Sequence, residues 1–239
     1  MIGPIMIKMG MQKLNPDLLA SFRAPAFPGS YFLSFEGIEG AGKSSQIVKV
    51  IEYLEQKGFR VIRMREPGGT KFGEKLRQAI LESKSEIHPI AEAHLFASSR
   101  AQLLSEVTLK ELKIPGTIII YDRYIDSTFA YQGKAGGLGM ETVLRLHQDF
   151  PLSTVPHLTL YIKIGLDTSQ KRQTVRNAPK DYFESQGKEF YQNLIAGYEE
   201  AAETFPDRIS VINGEKDFNS VFEQICLELD KLLAKGKSA

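Results

Sequence analysis

Residues 37–44 read Gly37-Ile38-Glu39-Gly40-Ala41-Gly42-Lys43-Ser44, a complete G-x-x-x-x-G-K-[ST] run. Upstream of it, Tyr31-Phe32-Leu33-Ser34-Phe35 has the length and apolar content of a buried strand. Downstream, between Ser44 and Gln56, Ile47, Val48, Ile51 and Leu54 recur at helical spacing. A strand that enters a glycine-rich turn and leaves as a helix aims successive backbone N–H groups, and the positive end of the helix dipole, at one point. That is a cradle for phosphates. Gly37, Ile38, Glu39, Gly40, Ala41, Gly42 and Ser45 would form its wall, Lys43 would reach the β- and γ-phosphates, and Ser44 would hold Mg2+. The ligand this pattern implies is a nucleoside triphosphate.

Strand and helix signals go on alternating outward from that loop. Further strands are expected at Arg60–Met64, closed by Pro67-Gly68-Gly69, and at Gly116–Tyr121, Leu158–Ile162 and Arg208–Ile212. Helices are expected over Phe72–Ser83, Ile90–Leu112 and Phe218–Leu233. Strands separated by helices imply right-handed crossovers, so the fold class is α/β, with a five-stranded parallel sheet carrying helices on both faces. The polar stretch from Ser169 to Lys188 breaks the core pattern and holds Lys171, Arg172, Arg176 and Lys180. A solvated charged helix and a basic flap over a phosphate site account for it equally.

Composition narrows the class. The 239 residues suffice for one sizeable domain, here 30–239, and a net charge of +1 gives no surface for nucleic acid. A single cysteine, Cys226, rules out an intrachain disulfide, points to the cytoplasm and reads as a buried structural thiol. No run of 18 apolar residues is present to span a membrane. Residues 1–29 are expected to be a poorly ordered extension, with Met11 as a second candidate start. His88, His94, His147 and His157 lack metal-ligand spacing and are expected to be solvated or on helix faces.

A phosphate loop alone does not separate a kinase from a GTPase, an ATPase motor or a transporter subunit, and the discriminating residues lie downstream. Asp122-Arg123-Tyr124 follows an apolar strand at the carboxyl end of the sheet, where ligands of open α/β sheets bind. A carboxylate there can orient Mg2+ and an arginine can contact transferring phosphate. Phe96 and Arg100, four apart, share a helix face, an aromatic plane beside a forked donor. Taken alone, Phe96 reads as core and Arg100 as a surface charge. Ser127, Thr128, Tyr131 and Gln132 add neutral hydrogen-bonding groups, with Ser127 also a candidate helix cap.

Together, Phe35–Ser44, Arg65–Thr70, Gly73–Arg77, Phe96–Gln102, Asp122–Tyr124 and Ser127–Gly133 resemble the thymidylate kinase family of bacterial type, in its order and over most of residues 31–235. The resemblance implies a three-layer P-loop kinase fold with a short lid at about 169–184, and transfer of a phosphoryl group from Mg-ATP to dTMP by a homodimer. It implies that Phe96 stacks on thymine and Arg100 bonds its carbonyl edge, that Thr128 and Gln132 approach the base, and that Tyr131 crowds the sugar 2′ position. By the same resemblance Arg77 and Arg123 hold the dTMP phosphate, Glu66 and Asp122 organise the magnesium and arginine network, Glu39 meets the acceptor sugar or the Mg2+ shell, and Asn213-Gly214 lies near adenine. The phosphate loop has no basic residue between Gly37 and Gly42, which in this family goes with a lid arginine, here Arg172 or Arg176. Two departures stand out: Asp181-Tyr182-Phe183-Glu184 lacks the arginine usual after the lid, and Ser99 replaces an acidic residue. The rival readings are another nucleotide or nucleoside kinase, a non-catalytic nucleotide-binding regulator and a nucleic-acid ATPase.

Overall fold

The computed structural model describes residues 14–83, 85–176 and 187–236, leaving aside the side chains of Val175 and Arg176. The first described helix, α1 (Pro16–Ala20), starts where the Asn15 side chain accepts from the N–H of Asp17 at 2.8 Å. Residues 14–29 were expected to trail from the domain. Instead Leu18 is buried, and Arg23 exchanges backbone hydrogen bonds with Ser153 and Val155, so this stretch packs on the body of the protein. Residues 1–13 lie outside the described residues.

The sheet has five parallel strands: β1 (Tyr31–Glu36), β2 (Arg60–Arg65), β3 (Thr117–Asp122), β4 (Leu158–Lys163) and β5 (Ile209–Asn213), in the order β2-β3-β1-β4-β5. β1 is buried along its whole length and β3 up to its last residue, which is why both read as unbroken apolar runs. β2 lies at the edge, and its Arg60, Arg63 and Arg65 are exposed. The register pairs Phe35 with Asp122 and Asp122 with Arg65, so Glu36, Asp122 and Arg65 end at one carboxyl edge.

Helices fill the crossovers: α2 (Lys43–Gln56), α3 (Lys71–Leu81) and α4 (Pro89–Leu103). The helix expected over residues 90–112 is interrupted after α4 by a π-helical turn, Leu104–Thr108, before the short α5 (Leu109–Glu111). The buried Thr108 hydroxyl explains the break: it lies 2.5 Å from the Tyr121 hydroxyl and reaches back toward the Leu103 carbonyl. α6 (Ile125–Thr128) runs into a second π-helical segment, Phe129–Ala135, followed by α7 (Met140–Leu146), α8 (Leu166–Arg176), α9 (Lys188–Thr204) and α10 (Phe218–Gly236). α8 begins the expected basic flap, and residues 177–184 of that flap lie outside the described residues. Cys226 on α10 is half-buried, less enclosed than expected, because its helix turns only Val221, Ile225, Leu229 and Leu233 fully inward.

Candidate active site

Gly37 has φ +136°, and a Cβ on it would stand 2.5 Å from the Ile162 carbonyl. Only glycine lets the phosphate loop leave β1 this close to β4. Beyond the turn, the buried Lys43 donates through Nζ to the carbonyls of Gly37 at 2.7 Å and Ile38 at 3.2 Å. Burial, joined by the Arg123 charge, pushes Lys43 down to about 8 although Asp122, Glu39 and Glu36 pull it up. Ser44 donates through Oγ to Asp122 Oδ2 at 2.9 Å. Helix α8 closes over the loop: Ser169 donates to the Glu39 carbonyl, and Arg172 to the carbonyls of Gly40 and Gly214. Arg176 is the last residue of α8, and its side chain lies outside what is described.

Arg123 is the hub of the acceptor side. Its φ of +72° is the only positive value at a non-glycine among the described residues, a strain of about 1–3 kcal/mol that its surroundings must hold. They do so on every side. Its own N–H donates to the Phe35 carbonyl, and the next N–H, of Tyr124, donates to Glu36 Oε1 at 2.6 Å. The guanidinium donates to the Gly37 carbonyl at 3.0 Å, Ser127 Oγ at 3.3 Å, the Tyr198 hydroxyl at 2.9 Å and Glu39 Oε1 at 2.6 Å, and lies over the Tyr131 ring. Tyr131 donates its hydroxyl to the same Glu39 oxygen. Burial alone would raise Glu39, but Arg123, Lys43 and Tyr131 overcome it and leave the carboxyl below its ordinary range. Ser127 donates to Glu36 Oε2 rather than capping α6, whose first turn has no side-chain cap.

Arg100, which alone read as a surface charge, is 1% exposed. Its Nε and Nη2 both donate to Glu66 Oε2, its Nη1 to Thr128 Oγ1 and His147 Nε2, and its plane lies over the Tyr124 ring. Burial pushes Glu66 up to about 7 even though Arg100 pulls it back, and Glu66 Oε1 has no hydrogen-bond partner among the described residues. Gln132 donates its amide to Glu92 Oε1, a buried carboxyl on α4. Ser99 takes over backbone support, accepting the Gly68 N–H that sets the turn after Glu66.

Many of these groups face one cavity of about 730 Å3. The expected residues that line it are Glu39, Gly40, Ala41, Gly42, Lys43, Ser44 and Ser45 from the loop, and Glu66, Arg77, Phe96, Arg100, Asp122, Arg123, Ser127, Thr128, Tyr131, Gln132 and Arg172 from elsewhere. Gly37 and Ile38 stand behind the loop and contribute carbonyls to Lys43. Arg63, Arg65, Pro67, Leu81 and Tyr124 line the cavity as well and were not singled out from the sequence. Glu36, Glu92, Tyr198 and His147 were also missed. Glu36 left a trace in the sequence, an acid at the end of an apolar strand. His147 left none: expected to be solvated or on a helix face, it is fully buried just past the end of α7.

No helix among the described residues is long and apolar enough to cross a membrane. A family model described as thymidylate kinase matches residues 35–225. The chain is 39% identical over 202 residues to a thymidylate kinase of Thermoanaerobacter sp. (strain X514), covering 84% of this chain and 98% of that one. It is 37% identical over 206 residues to one of Caldanaerobacter subterraneus subsp. tengcongensis, covering 86% and 98%. A crystal structure of thymidylate kinase from Ehrlichia chaffeensis superposes with a TM-score of 0.67 at 29% identity, covering 85% of this chain and 99% of that chain.

Proposed function

The chain belongs to the thymidylate kinase family and phosphorylates dTMP, and we propose that both substrates meet in the cavity between the phosphate loop and Arg100. The observation that carries this is that two chemistries share one cavity. Ser44 is bonded to Asp122 and Lys43 to the loop carbonyls, where a triphosphate would lie, and Arg100, bonded to Thr128, lines the same cavity with Phe96 and Gln132, an aromatic ring and hydrogen-bonding groups that would suit a pyrimidine. Arg123 and Arg77 line this cavity as well, and as forked donors they would hold the acceptor phosphate.

In this reading an oxygen of the dTMP phosphate attacks the γ-phosphorus of ATP. The bond from that phosphorus to the bridging oxygen breaks, giving dTDP and ADP without a covalent enzyme intermediate. Ser44 Oγ and Asp122 Oδ2, hard oxygen donors 2.9 Å apart, fit a magnesium ion that keeps several waters and phosphate oxygens as its other ligands. No group of three or more His, Cys, Asp or Glu that could hold a metal by itself occurs among the described residues. When bound, that ion neutralises charge on the phosphates. Lys43 and Arg172 would add charge at the transferred group, with Arg176 the other candidate on the same helix, and closure of the α8 side would exclude water. Glu39 would meet the acceptor sugar through Oε2, the oxygen without a partner among the described residues. Tyr131, held against Glu39 and Arg123, would crowd the 2′ position.

A two-fold dimer is the assembly the family implies, and the exposed Ala91, His94 and Ser98 with half-buried Leu95 on α4 would supply its seam. Light scattering on the purified protein measures it. The reaction is tested by ADP formation with Mg-ATP and, separately, dTMP, dUMP, thymidine and no acceptor. Turnover confined to dTMP, with weaker dUMP, is expected. Thymidine turnover in its place would overturn the acceptor assignment.

A further inference from the structure

His147 lies just past the end of α7, is fully buried and does not line the cavity. Its Nδ1 is 2.8 Å from the Val143 carbonyl, which can only accept, so Nδ1 carries the proton. Its Nε2 is 2.7 Å from Arg100 Nη1, which can only donate, so Nε2 offers a lone pair. Both contacts are met by one neutral tautomer alone. Burial and the adjacent Arg100 charge hold the ring far below its ordinary range, at about 3, in keeping with that arrangement.

The consequence falls on Arg100. Of its five N–H groups, two are taken by Glu66 Oε2, one by Thr128 Oγ1 and one by His147 Nε2, which leaves a single Nη2–H. A planar fork held at four of five donors cannot rotate, so the fifth keeps one direction. We propose that His147 is a positioning residue that fixes Arg100 as a donor toward the pyrimidine, making the site select a 4-carbonyl over a 4-amino base. A carbonyl oxygen accepts the remaining N–H. An amino group in its place presents hydrogens to a donor that cannot turn away, and the mismatch leaves buried polar groups unpaired. The proposal rests on the reading of Arg100 as the group that meets the base.

The measurement is the ratio of kcat/KM for dTMP to that for dCMP, with KM for ATP alongside, in wild type, His147→Met, His147→Gln and Arg100→Met. His147→Met frees Arg100 and should lower the ratio roughly tenfold or more, the range for a hydrogen bond to a charged group, while KM for ATP stays within about twofold. His147→Gln can return an acceptor at the position of Nε2 and should restore most of the ratio. A folded His147→Met enzyme with an unchanged ratio overturns the proposal when Arg100→Met lowers it. An Arg100→Met enzyme with an unchanged ratio overturns the reading beneath it instead. If His147→Met does not fold, the ring nitrogens of the wild type decide by long-range 1H–15N NMR near neutral pH. A proton on Nδ1 and none on Nε2 is expected, and the opposite tautomer or a doubly protonated ring refutes the proposal.

Discussion

Replacing Glu66 with alanine should cost both stability and dTMP recognition, and the structure lets the two be separated. The side chains of Glu66 and Arg100 are 3% and 1% exposed. Glu66→Ala therefore leaves a buried guanidinium without its carboxylate, and two of its N–H groups lose their acceptor. Breaking one side of a buried pair costs about 3–5 kcal/mol. Burial raises the Glu66 carboxyl against the pull of Arg100, so the intact pair carries a desolvation cost of its own and the lower end applies. For a chain of this size about 3 kcal/mol corresponds to a fall in Tm of roughly 6–12 °C. The companion variant Glu66→Leu/Arg100→Met removes both charges and fills the space, so it should recover most of the stability and none of the recognition. Thermal unfolding by circular dichroism and steady-state kinetics on the same preparations supply both readouts. A Glu66→Ala protein within 2 °C of wild type would refute the argument about the buried pair. A double variant that still turns over dTMP with wild-type KM would refute the role given to Arg100.

Arg172 donates to the carbonyls of Gly40 and Gly214 and lines the cavity, so Arg172→Ala should lower kcat by about 10³ or more and leave KM for dTMP nearly unchanged. Little change in single-turnover rate would move that role to Arg176. Glu92 accepts the Gln132 amide inside the protein, so Glu92→Leu should free Gln132 and raise Kd for dTMP about tenfold. Isothermal titration with dTMP measures it, and unchanged affinity would mean that Gln132 is held by packing alone.

The sheet and the phosphate loop were legible because their physics is local. An apolar run of strand length, a glycine turn and a helical repeat each occupy a few residues, and β1, α2 and β3 lie within a residue or so of where the pattern puts them. The break after α4 was not legible, since it depends on Thr108 meeting Tyr121 from another element. The same divide runs through the candidate site. Lys43, Ser44, Asp122 and Arg123 sit in short motifs whose spacing states their chemistry. The groups that hold those side chains do not: Glu36, Glu92, His147 and Tyr198 come from β1, α4, the end of α7 and α9, and their closeness to Arg100, Arg123 and Gln132 is set by how distant segments pack. Periodicity could place Arg100 on a helix face but not state that the face is interior, because the acid and the imidazole that satisfy it there lie 34 and 47 residues away.

Glu36 shows how such a support also ties the fold to pH. It ends β1 with no exposure and accepts from the Tyr124 N–H and the Ser127 hydroxyl, which pins the strained turn at Arg123. Burial, reinforced by the nearby Asp126 charge, raises its carboxyl from 4.5 to about 8, against the pull of Ser127, Arg123 and Tyr124. A folded value above the unfolded one means that the native state holds the proton more tightly. The stability this contributes is complete below about pH 4.5 and is lost as the pH rises through about 8. Glu36→Gln keeps the shape and an acceptor for the Tyr124 N–H but cannot titrate. Subtracting its Tm profile from that of wild type cancels every other group, so the difference should be flat at low pH, slope against wild type between about pH 5 and 8, and level off above. The slope approaches about 1.4 kcal/mol per pH unit at most, or roughly 3–6 °C. Parallel profiles from pH 5 to 9 would mean that Glu36 is ionised in the folded protein at neutral pH and that Arg123, not burial, controls it. A sloping difference would mean that the turn carrying Arg123 is held by a neutral acid, and that raising the pH loosens the acceptor side of the site before it unfolds the chain.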